Sequence, residues 1–416
     1  MGGYSFTVFF DLLCGLLSVV FFWSTFVLFA GLIRKGRVHP AAERRLRFAV
    51  LICARNEERV IEFPVRSILA ASYPAEKREV IVLADNCTDR TSEVARAAGA
   101  TVWEKTSLSA GKGDVLAWGV ERLRKEGGFD AVAVFDADNT MCAGWLDAVN
   151  NALNDGESVV TGRRHSSNAF VNVITGWYTV YWAMMNELSN RVRTNLGLSG
   201  KLTGTGFAFL LSCLGEEGWS TRTMVEDVEF SVQGNIAGRR VAYIRDADYC
   251  DEQPTALMPM WRQLRRWATG GWQVVRLYSL PWLTTLCRRP SICLFDSFFS
   301  ILTGISVAFI HLANVIALAV KLYTGQPVVP AVQTFAGFLL FVFVMGWFTA
   351  LAAVALAPKG QRPGFIPVAT FPLFSLVLSA SVLCTLVFPS RRWKPIQHGN
   401  TDLKGSGSSG NIGESV

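Results

Sequence analysis

Residues 131–138 read AVAVFDAD, in which a short, mainly apolar run at 131–136 ends in Asp136 and a second aspartate, Asp138, follows one residue later. Similar runs precede it in the chain: FAVLICA at 48–54, EVIVLAD at 79–85 and ATVW at 100–103. Their almost continuous valine, isoleucine, leucine and alanine is typical of strands that are covered on both faces. Helical periodicity marks the segments that separate or follow these runs, near 57–70, 91–98 and 112–125. The alternation predicts an α/β domain with a mostly parallel sheet.

Apolar residues are more abundant than a water-soluble protein of this size needs. Hydrophobic residues make up 50% of the 416 residues, charged residues only 18%, and the formal net charge is +7. The mean hydropathy of +0.30 favours contact with lipid over a purely soluble enzyme. The 40 basic and 33 acidic residues nevertheless require a water-facing domain. The same composition excludes a disordered chain, a collagen and a small disulfide scaffold.

Uncharged runs long enough to cross a bilayer lie near both ends of the sequence, at 12–32, 297–320, 331–356 and 364–388. Arg34, Lys35 and Arg37 follow the first run, and the positive-inside bias predicts that this flank is cytoplasmic. A cleaved signal peptide is the competing interpretation, but a charged start and a small-residue cleavage site are both missing. We therefore expect an integral protein of the plasma membrane whose water-facing domain lies in the cytoplasm.

The sequence divides into five predicted parts. They are an N-terminal transmembrane anchor (1–33), a cytosolic domain (34–250), amphipathic interface helices (251–290), three transmembrane helices (291–390) and a flexible Gly/Ser-rich tail (391–416). Counting the spans places the C-terminus outside, whereas Arg391, Arg392 and Lys394 favour the inside. The side of the C-terminus is therefore open.

Carboxylates stand at the ends of two predicted strands, where ligands of such sheets bind. Asp85 ends the second run, and Asp136 and Asp138 follow the fourth. An Asp-x-Asp pair suits a hard divalent cation that also holds a diphosphate, although loops contain such pairs by chance. Lys112, in Gly-Lys-Gly at a predicted helix start, is either a phosphate ligand or a solvated surface lysine. The dinucleotide fingerprint and the phosphate-cradling GxxxxGK[ST] loop are both absent from the sequence.

The order of motifs along the chain is more specific than any one of them. It runs Asp85, Asp136-x-Asp138, Gly204-Thr205-Gly206, Glu226-Asp227 and Gln263-x-x-Arg266-Trp267. With this set the sequence resembles the processive family 2 glycosyltransferases, which include cellulose, chitin, hyaluronan and poly-N-acetylglucosamine synthases. The resemblance covers about residues 46–275 and extends to the flanking spans. It implies a GT-A-like nucleotide-sugar-binding domain flanked by transmembrane helices.

The resemblance also implies roles for the motif residues. Asp85 would contact the uridine of a UDP-sugar, and Asp136 and Asp138 would hold Mg²⁺ or Mn²⁺ with the diphosphate. Asp227, beside Glu226, would be the general base. The acceptor and diphosphate contacts would come from six residues: Gly204, Thr205, Gly206, Gln263, Arg266 and Trp267. Val225 stands where the family usually has threonine, which removes a hydroxyl contact but leaves the base in place.

These roles predict an inverting enzyme that polymerises UDP-N-acetylglucosamine or UDP-glucose into a β-linked polysaccharide and passes it across the membrane. Its partners would be the UDP-sugar donor, a polysaccharide acceptor, membrane lipid and, if export requires it, an accessory subunit, with no nucleic acid. A non-processive transferase that adds one sugar to a lipid, and a non-catalytic transporter or scaffold subunit, are the alternatives. The donor sugar and the linkage position are left open.

Aromatic residues outside the predicted strands suggest contacts with the membrane. We expect Trp261 and Trp272 to lie at the membrane interface and Trp267 to face sugar. A stripe from Phe170 to Leu188 is interpreted as a further interface or core helix and not as part of the binding site. His311 and Asn314 lie within a predicted span, and hydrogen bonds between helices are the simplest explanation for them.

Overall fold

The computed structural model describes residues 2–390, except for the side chains of 2–14, 16 and 17. Its sheet has eight strands: β1 (Phe48–Ala54), β2 (Arg78–Asp85), β3 (Thr101–Lys105), β4 (Ala131–Asp136), β5 (Thr140–Met141), β6 (Val159–Ser166), β7 (Phe207–Leu210) and β8 (Val241–Asp251). Their order is β3-β2-β1-β4-β7-β6-β8-β5. The four strands predicted from sequence pair in parallel, and β7 is antiparallel to both of its neighbours. The predicted α/β fold with a mostly parallel sheet is confirmed.

Within residues 2–390, twelve α-helices accompany the sheet. They are α1 (Gly2–Ile33), α2 (Glu62–Leu69), α3 (Thr91–Ala97), α4 (Lys112–Glu126), α5 (Trp145–Asn154), α6 (Val173–Ala183), α7 (Arg191–Asn195), α8 (Glu226–Ile236), α9 (Leu257–Arg288), α10 (Ile292–Tyr323), α11 (Val328–Leu356) and α12 (Phe365–Val387). A π-helical segment, Met184–Asn190, joins α6 to α7.

The side chains of the central strands alternate between two hydrophobic cores. Phe48, Val50 and Ile52 of β1 pack with α2, α3 and α5 on one face of the sheet. Ala49 and Leu51 point to the opposite face and pack with α4 and α8. This alternation explains why nearly every residue of these strands is apolar, since each strand is buried on both faces.

In the described part of the chain, three helices are long and apolar enough to cross a membrane: α10, α11 and α12. In α1 the apolar stretch within the part whose side chains are described is Ser18–Ile33, so the predicted fourth span stays a prediction. Trp23 of α1 donates from Nε1 to Asp296 of α10 at 3.0 Å, and Arg193 of α7 donates from Nε to the same carboxylate at 2.9 Å. The buried Asp296 carboxylate therefore joins α1 and α10 to α7 of the α/β domain. The predicted flexible tail lies outside the described residues.

The predicted interface segment forms one continuous helix, α9, with 32 residues. Trp177 and Tyr178 of α6 pack with Leu264 of α9 and with Phe371 and Phe374 of α12 in one apolar cluster. The central part of the aromatic stripe predicted between Phe170 and Leu188 therefore lies in a core helix, α6, which packs between the α/β domain and the apolar helices.

Two polar residues of α10 do not bond to neighbouring helices. The Nδ2 atom of Asn314 donates to Ile310 O of its own helix at 2.9 Å. Neither ring nitrogen of His311 has a hydrogen-bond partner among residues 2–390. The expected interhelical hydrogen bonds are therefore not found in the described part of the chain.

Candidate active site

A cleft of about 850 Å³ opens at the carboxyl ends of β1, β2 and β4, between the sheet and α9. Ten of the predicted site residues line it: Asp85, Lys112, Asp136, Asp138, Gly204, Glu226, Asp227, Gln263, Arg266 and Trp267. They come from well-separated parts of the sequence and are brought together by the order of the strands. Two predicted residues, Thr205 and Gly206, do not line this cleft and lie behind its wall.

Thr205 and Gly206 shape the turn that carries the aspartate pair. Thr205 is fully buried, and its Oγ1 accepts a hydrogen bond from the backbone N–H of Asp136 at 3.0 Å. Gly206 has φ +62°, and a Cβ there would overlap the ring of Tyr249. The Gly-Thr-Gly motif thus positions Asp136, and the structure offers no direct contact from Thr205 or Gly206 to a ligand in the cleft.

The pair Asp136 and Asp138 fits a divalent cation that shares its coordination with a ligand. Both carboxylates line the cleft, and Asn139 donates from Nδ2 to Asp138 Oδ1 at 3.1 Å. Among the described residues there is no group of three or more histidine, cysteine, aspartate or glutamate side chains placed to hold a metal. Magnesium is commonly bound by one or two carboxylates with phosphate oxygens and water, so two aspartates are sufficient in a diphosphate site.

Lys112 begins α4 and lies between two carboxylates. Its Nζ is 2.5 Å from Asp136 Oδ1 and 3.5 Å from Glu226 Oε1, and it donates to Gly204 O at 2.6 Å. Burial alone would lower the pKa of Lys112, but Asp136 and Glu226 outweigh it and raise that pKa well above its usual range. The interpretation as a solvated surface lysine is wrong. Lys112 places a permanent positive charge beside the aspartate pair.

Asp85 ends β2 with its carboxylate held in one orientation. Only 5% of the residue is exposed, and Ser109 donates from Oγ to Asp85 Oδ2 at 2.7 Å. Arg55, which follows β1, places Nη2 3.0 Å from the same oxygen. A carboxylate fixed in this way can accept a hydrogen bond from a ligand without first losing side-chain freedom.

Glu226 and Asp227 form the first turn of α8 and are almost completely buried at the cleft. Burial, and after it the charge of Glu226, raises the pKa of Asp227 to about 7. A carboxylate with a pKa near 7 is well matched to accept a proton from a hydroxyl at neutral pH. This environment is compatible with the predicted role of Asp227 as a general base, which stays a prediction.

The loop before α8 is fixed from two directions. Glu229, which is fully buried, accepts from the backbone N–H groups of Arg222 at 2.7 Å and Thr223 at 2.6 Å. Val225 packs against Gly270 of α9, where a Cβ would lie 2.6 Å from Val225 Cγ1. The valine that replaces the expected threonine therefore makes an apolar contact that brings α8 and α9 together.

Gln263, Arg266 and Trp267 face the cleft from one side of α9, as their spacing requires. The ring of Trp267 stacks on Tyr181 of α6 at 6.0 Å between centroids and meets Trp182 edge-on at 5.8 Å. Within residues 2–390, Arg266 has no hydrogen bond or ion pair, and Gln263 Oε1 is buried without a partner. These polar groups are available to a ligand. Tyr181 also lines the cleft, contrary to the expectation that its stripe lies outside the binding site.

Arg164 and Asp251 line the cleft but were not predicted from the sequence. The Arg164 guanidinium lies 3.7 Å from the ring centroid of Trp182, donates to Thr203 O at 2.8 Å and is bonded to the Asp251 carboxylate. Asp251 is the last residue of β8, whose carboxyl end reaches the same edge as that of β6. A correct assignment of β8 as a strand would have revealed it by the same rule that identified Asp85.

The Trp272 side chain contacts two of the apolar helices, and its expected position at the membrane interface stays a prediction. Its Nε1 donates to Val382 O of α12 at 3.3 Å, and its ring meets Phe309 of α10 edge-on. The position of Trp261 relative to a membrane stays a prediction.

Comparison with known proteins agrees with this geometry. Residues 45–270, more than half of the chain, match the family model "Glycosyltransferase like family 2". The chain is 26% identical over 261 residues to a poly-beta-1,6-N-acetyl-D-glucosamine synthase of Staphylococcus aureus, covering 61% of each protein. It is 27% identical over 259 residues to the beta-monoglucosyldiacylglycerol synthase of Synechocystis, covering 58% of this chain and 50% of that protein. The chain thus spans about half to three-fifths of the length of these relatives.

The fold has a counterpart among solved structures. A mannosyltransferase of Pyrobaculum calidifontis, solved with GDP-Man and Mn²⁺, superposes with a TM-score of 0.62 at 17% identity and covers 90% of this chain and 99% of that one. This likeness concerns the fold, including its GT-A-like sheet. Together with the matched family model, it leads to one assignment: the chain belongs to the glycosyltransferase-like family 2.

Proposed function

We propose that the protein is a membrane-bound, inverting glycosyltransferase that extends a carbohydrate from a UDP-sugar, with UDP-N-acetylglucosamine and UDP-glucose as the first donors to test. The observation that carries this proposal is the convergence of Asp85, the Asp136–Asp138 pair, Asp227 and Arg266 on one cleft. Family membership supports the reaction class, and two relatives are named as a poly-beta-1,6-N-acetyl-D-glucosamine synthase and a beta-monoglucosyldiacylglycerol synthase.

The donor would lie along the carboxyl edge of the sheet. Asp85, fixed by Ser109 and Arg55, would accept from the nucleoside, and the diphosphate would reach the Asp136–Asp138 turn. Bound Mg²⁺ or Mn²⁺ at these two aspartates would offset the negative charge of the diphosphate. Such binding would leave the anomeric carbon facing the centre of the cleft.

Two cationic side chains would stabilise the leaving diphosphate. Lys112 already lies against Asp136, and Arg266 approaches from α9 with no competing partner in the described chain. Charge that develops on the departing oxygen is stabilised most by groups already in position. The arrangement therefore lowers the energy of the transition state more than that of the bound donor.

Asp227 would take the proton of the acceptor hydroxyl as that oxygen attacks the anomeric carbon. Its raised pKa makes it a stronger base than an ordinary aspartate, while Trp267 and Tyr181 offer an aromatic surface for the acceptor sugar. A single base with direct displacement inverts the anomeric centre, so an α-linked donor gives a β-linked product.

Processive synthesis and single addition to a lipid predict different products from the same cleft. The resemblance to the Gln-x-x-Arg-Trp synthases favours a polymer, and the named glycolipid synthase among the relatives favours a lipid acceptor as the second candidate. A non-catalytic role is disfavoured because the base, the aspartate pair and Arg266 are all present. The cytoplasmic orientation rests on the basic flank Arg34–Arg37.

The test is incubation of purified protein with radiolabelled UDP-sugars, Mn²⁺ or Mg²⁺ and a membrane lipid extract. A ladder of oligomers supports polymerisation, and a single labelled glycolipid supports the second candidate. No UDP release from any donor, with correctly folded protein, would contradict both.

A further inference from the structure

The start of α12 is attached to the catalytic-domain face of the molecule. Trp177 of α6 donates from Nε1 to Thr370 Oγ1 of α12 at 2.9 Å. Little more than one turn further along α6, Trp182 donates from Nε1 to Gln253 Oε1 at 3.0 Å. Gln253 lines the cleft, so α6 connects the first turns of α12 to the active site through these two hydrogen bonds.

The end of α12 is attached to the same face. The backbone N–H of Ser390 donates to Thr269 Oγ1 of α9 at 3.0 Å, and Arg265 of α9 donates to the carbonyl of Phe388. Gly270, the next residue of α9, packs on the loop that precedes the catalytic turn of α8. Arg265 thus places a positive charge where the carbonyl groups at the end of α12 carry partial negative charge.

The length of α12 makes these two attachments incompatible with a membrane crossing. A helix of 23 residues is about 34 Å long, which slightly exceeds the hydrocarbon thickness of about 30 Å. If α12 crossed the bilayer, its ends would lie on opposite faces and only one could reach helices that pack on the catalytic domain. We infer that α12 lies in the leaflet next to the catalytic domain without crossing, so that both of its ends are on the same side of the membrane.

Lipid is the occupant that fits the outer face of α12. Six apolar residues at its ends and on that face are exposed: Phe365, Ile366, Leu373, Leu386, Val387 and Phe388. Arg391, Arg392 and Lys394 follow in the sequence and match the anionic headgroups of a cytoplasmic leaflet. With α12 in this position, Ser390 lies on the same side as the flank Arg34–Arg37, and the basic residues that follow it in the sequence agree with the positive-inside bias. The inference does not depend on the transfer reaction, and it revises the predicted third C-terminal span.

Epitope tags in the full-length protein test this inference. One tag is inserted after Gly128, in an exposed loop of the catalytic domain, one after Gly325, between α10 and α11, and one at the C-terminus. In sealed membranes of known orientation, the tags at Gly128 and at the C-terminus should be accessible together, and the tag at Gly325 should be accessible only from the other side. A C-terminal tag that reports the same side as Gly325 would show that α12 crosses and would overturn the inference.

A cross-link tests the contact itself. The double variant Thr269→Cys with Ser390→Cys should form a disulfide under mild oxidation, because the Thr269 side chain lies within 3.0 Å of the backbone nitrogen of Ser390. The single variants show any cross-link to native cysteines, and Thr269→Cys with Gly325→Cys is the negative control. Absence of a specific cross-link in the first pair, in protein that retains its thermal transition, would contradict the placement of α12.

Discussion

Replacing Asp227 by asparagine should lower the rate of transfer by orders of magnitude and, at alkaline pH, stabilise the folded protein. Burial and the neighbouring Glu226 raise the pKa of Asp227 from 3.8 to about 7. A group with a raised pKa holds its proton more tightly in the folded than in the unfolded state, so the free energy of unfolding falls as pH rises from about 4 to about 7. At about 1.4 kcal/mol for each tenfold change in proton affinity, the loss is on the order of 4 kcal/mol. Asparagine does not titrate, so the variant does not lose this stability as pH rises.

The assay is thermal unfolding of the detergent-solubilised protein, free of metal and donor, at about pH 5 and about pH 8.5. The melting temperature of the variant minus that of the wild type should be larger at the higher pH. The increase should be about 2–4 °C for each kcal/mol of stability that the wild type loses between the two pH values. Activity should fall by about 10²–10⁴-fold, the usual contribution of a general base. Asp246→Asn, at an exposed position of β8, is the matched control and should change neither quantity. A temperature difference that is the same at both pH values, or an active variant, would refute the reasoning.

Three further variants examine other parts of the cleft. Asp138→Asn should raise the Mn²⁺ concentration needed for half-maximal UDP release by at least about tenfold, which a metal titration measures, and an unchanged requirement would remove this residue from the metal site. Arg266→Ala should lower kcat by about 10²–10³-fold. The melting temperature should stay constant, because no described group loses a hydrogen-bond or ion-pair partner. Arg262→Ala, on the exposed face of α9, is the control and should leave the kinetics unchanged. Gly206→Ala should lower the free energy of unfolding by more than Gly204→Ala. Both glycines have positive φ, so each substitution costs about 1 kcal/mol in backbone strain, but only a Cβ at position 206 also overlaps the buried ring of Tyr249. Equal losses in chemical unfolding would contradict that packing argument.

The sequence predicted the half of the sheet whose strands are continuous apolar runs. β1, β2 and β4 lie within one residue of the predicted bounds because both of their faces are covered by helices. β6 and β8 were missed because they carry charged pairs inside the sheet, such as Arg163 with Asp248 at 2.6 Å. A criterion based on apolar runs cannot find a strand whose polar side chains are neutralised by a partner that is distant in sequence.

The candidate site shows the same division. The strand ends and the family resemblance together gave ten residues that line the cleft, but not Arg164 or Asp251. The environment of Lys112 could not be predicted, because its partners Asp136 and Glu226 approach only in the folded protein. The apolar run that forms α12 predicts lipid contact correctly by composition, but its orientation depends on hydrogen bonds to α6 and α9.

The most direct test of the proposed activity is UDP release by the wild-type protein and by Asp227→Asn, measured side by side across a panel of UDP-sugars with Mn²⁺. We predict that at least one UDP-hexose supports turnover by the wild-type protein and that the variant, folded and able to bind the same donor, is inactive. Equal release by both proteins, or no release from any donor by folded wild-type protein, would contradict the proposal that this cleft transfers sugar with Asp227 as its base.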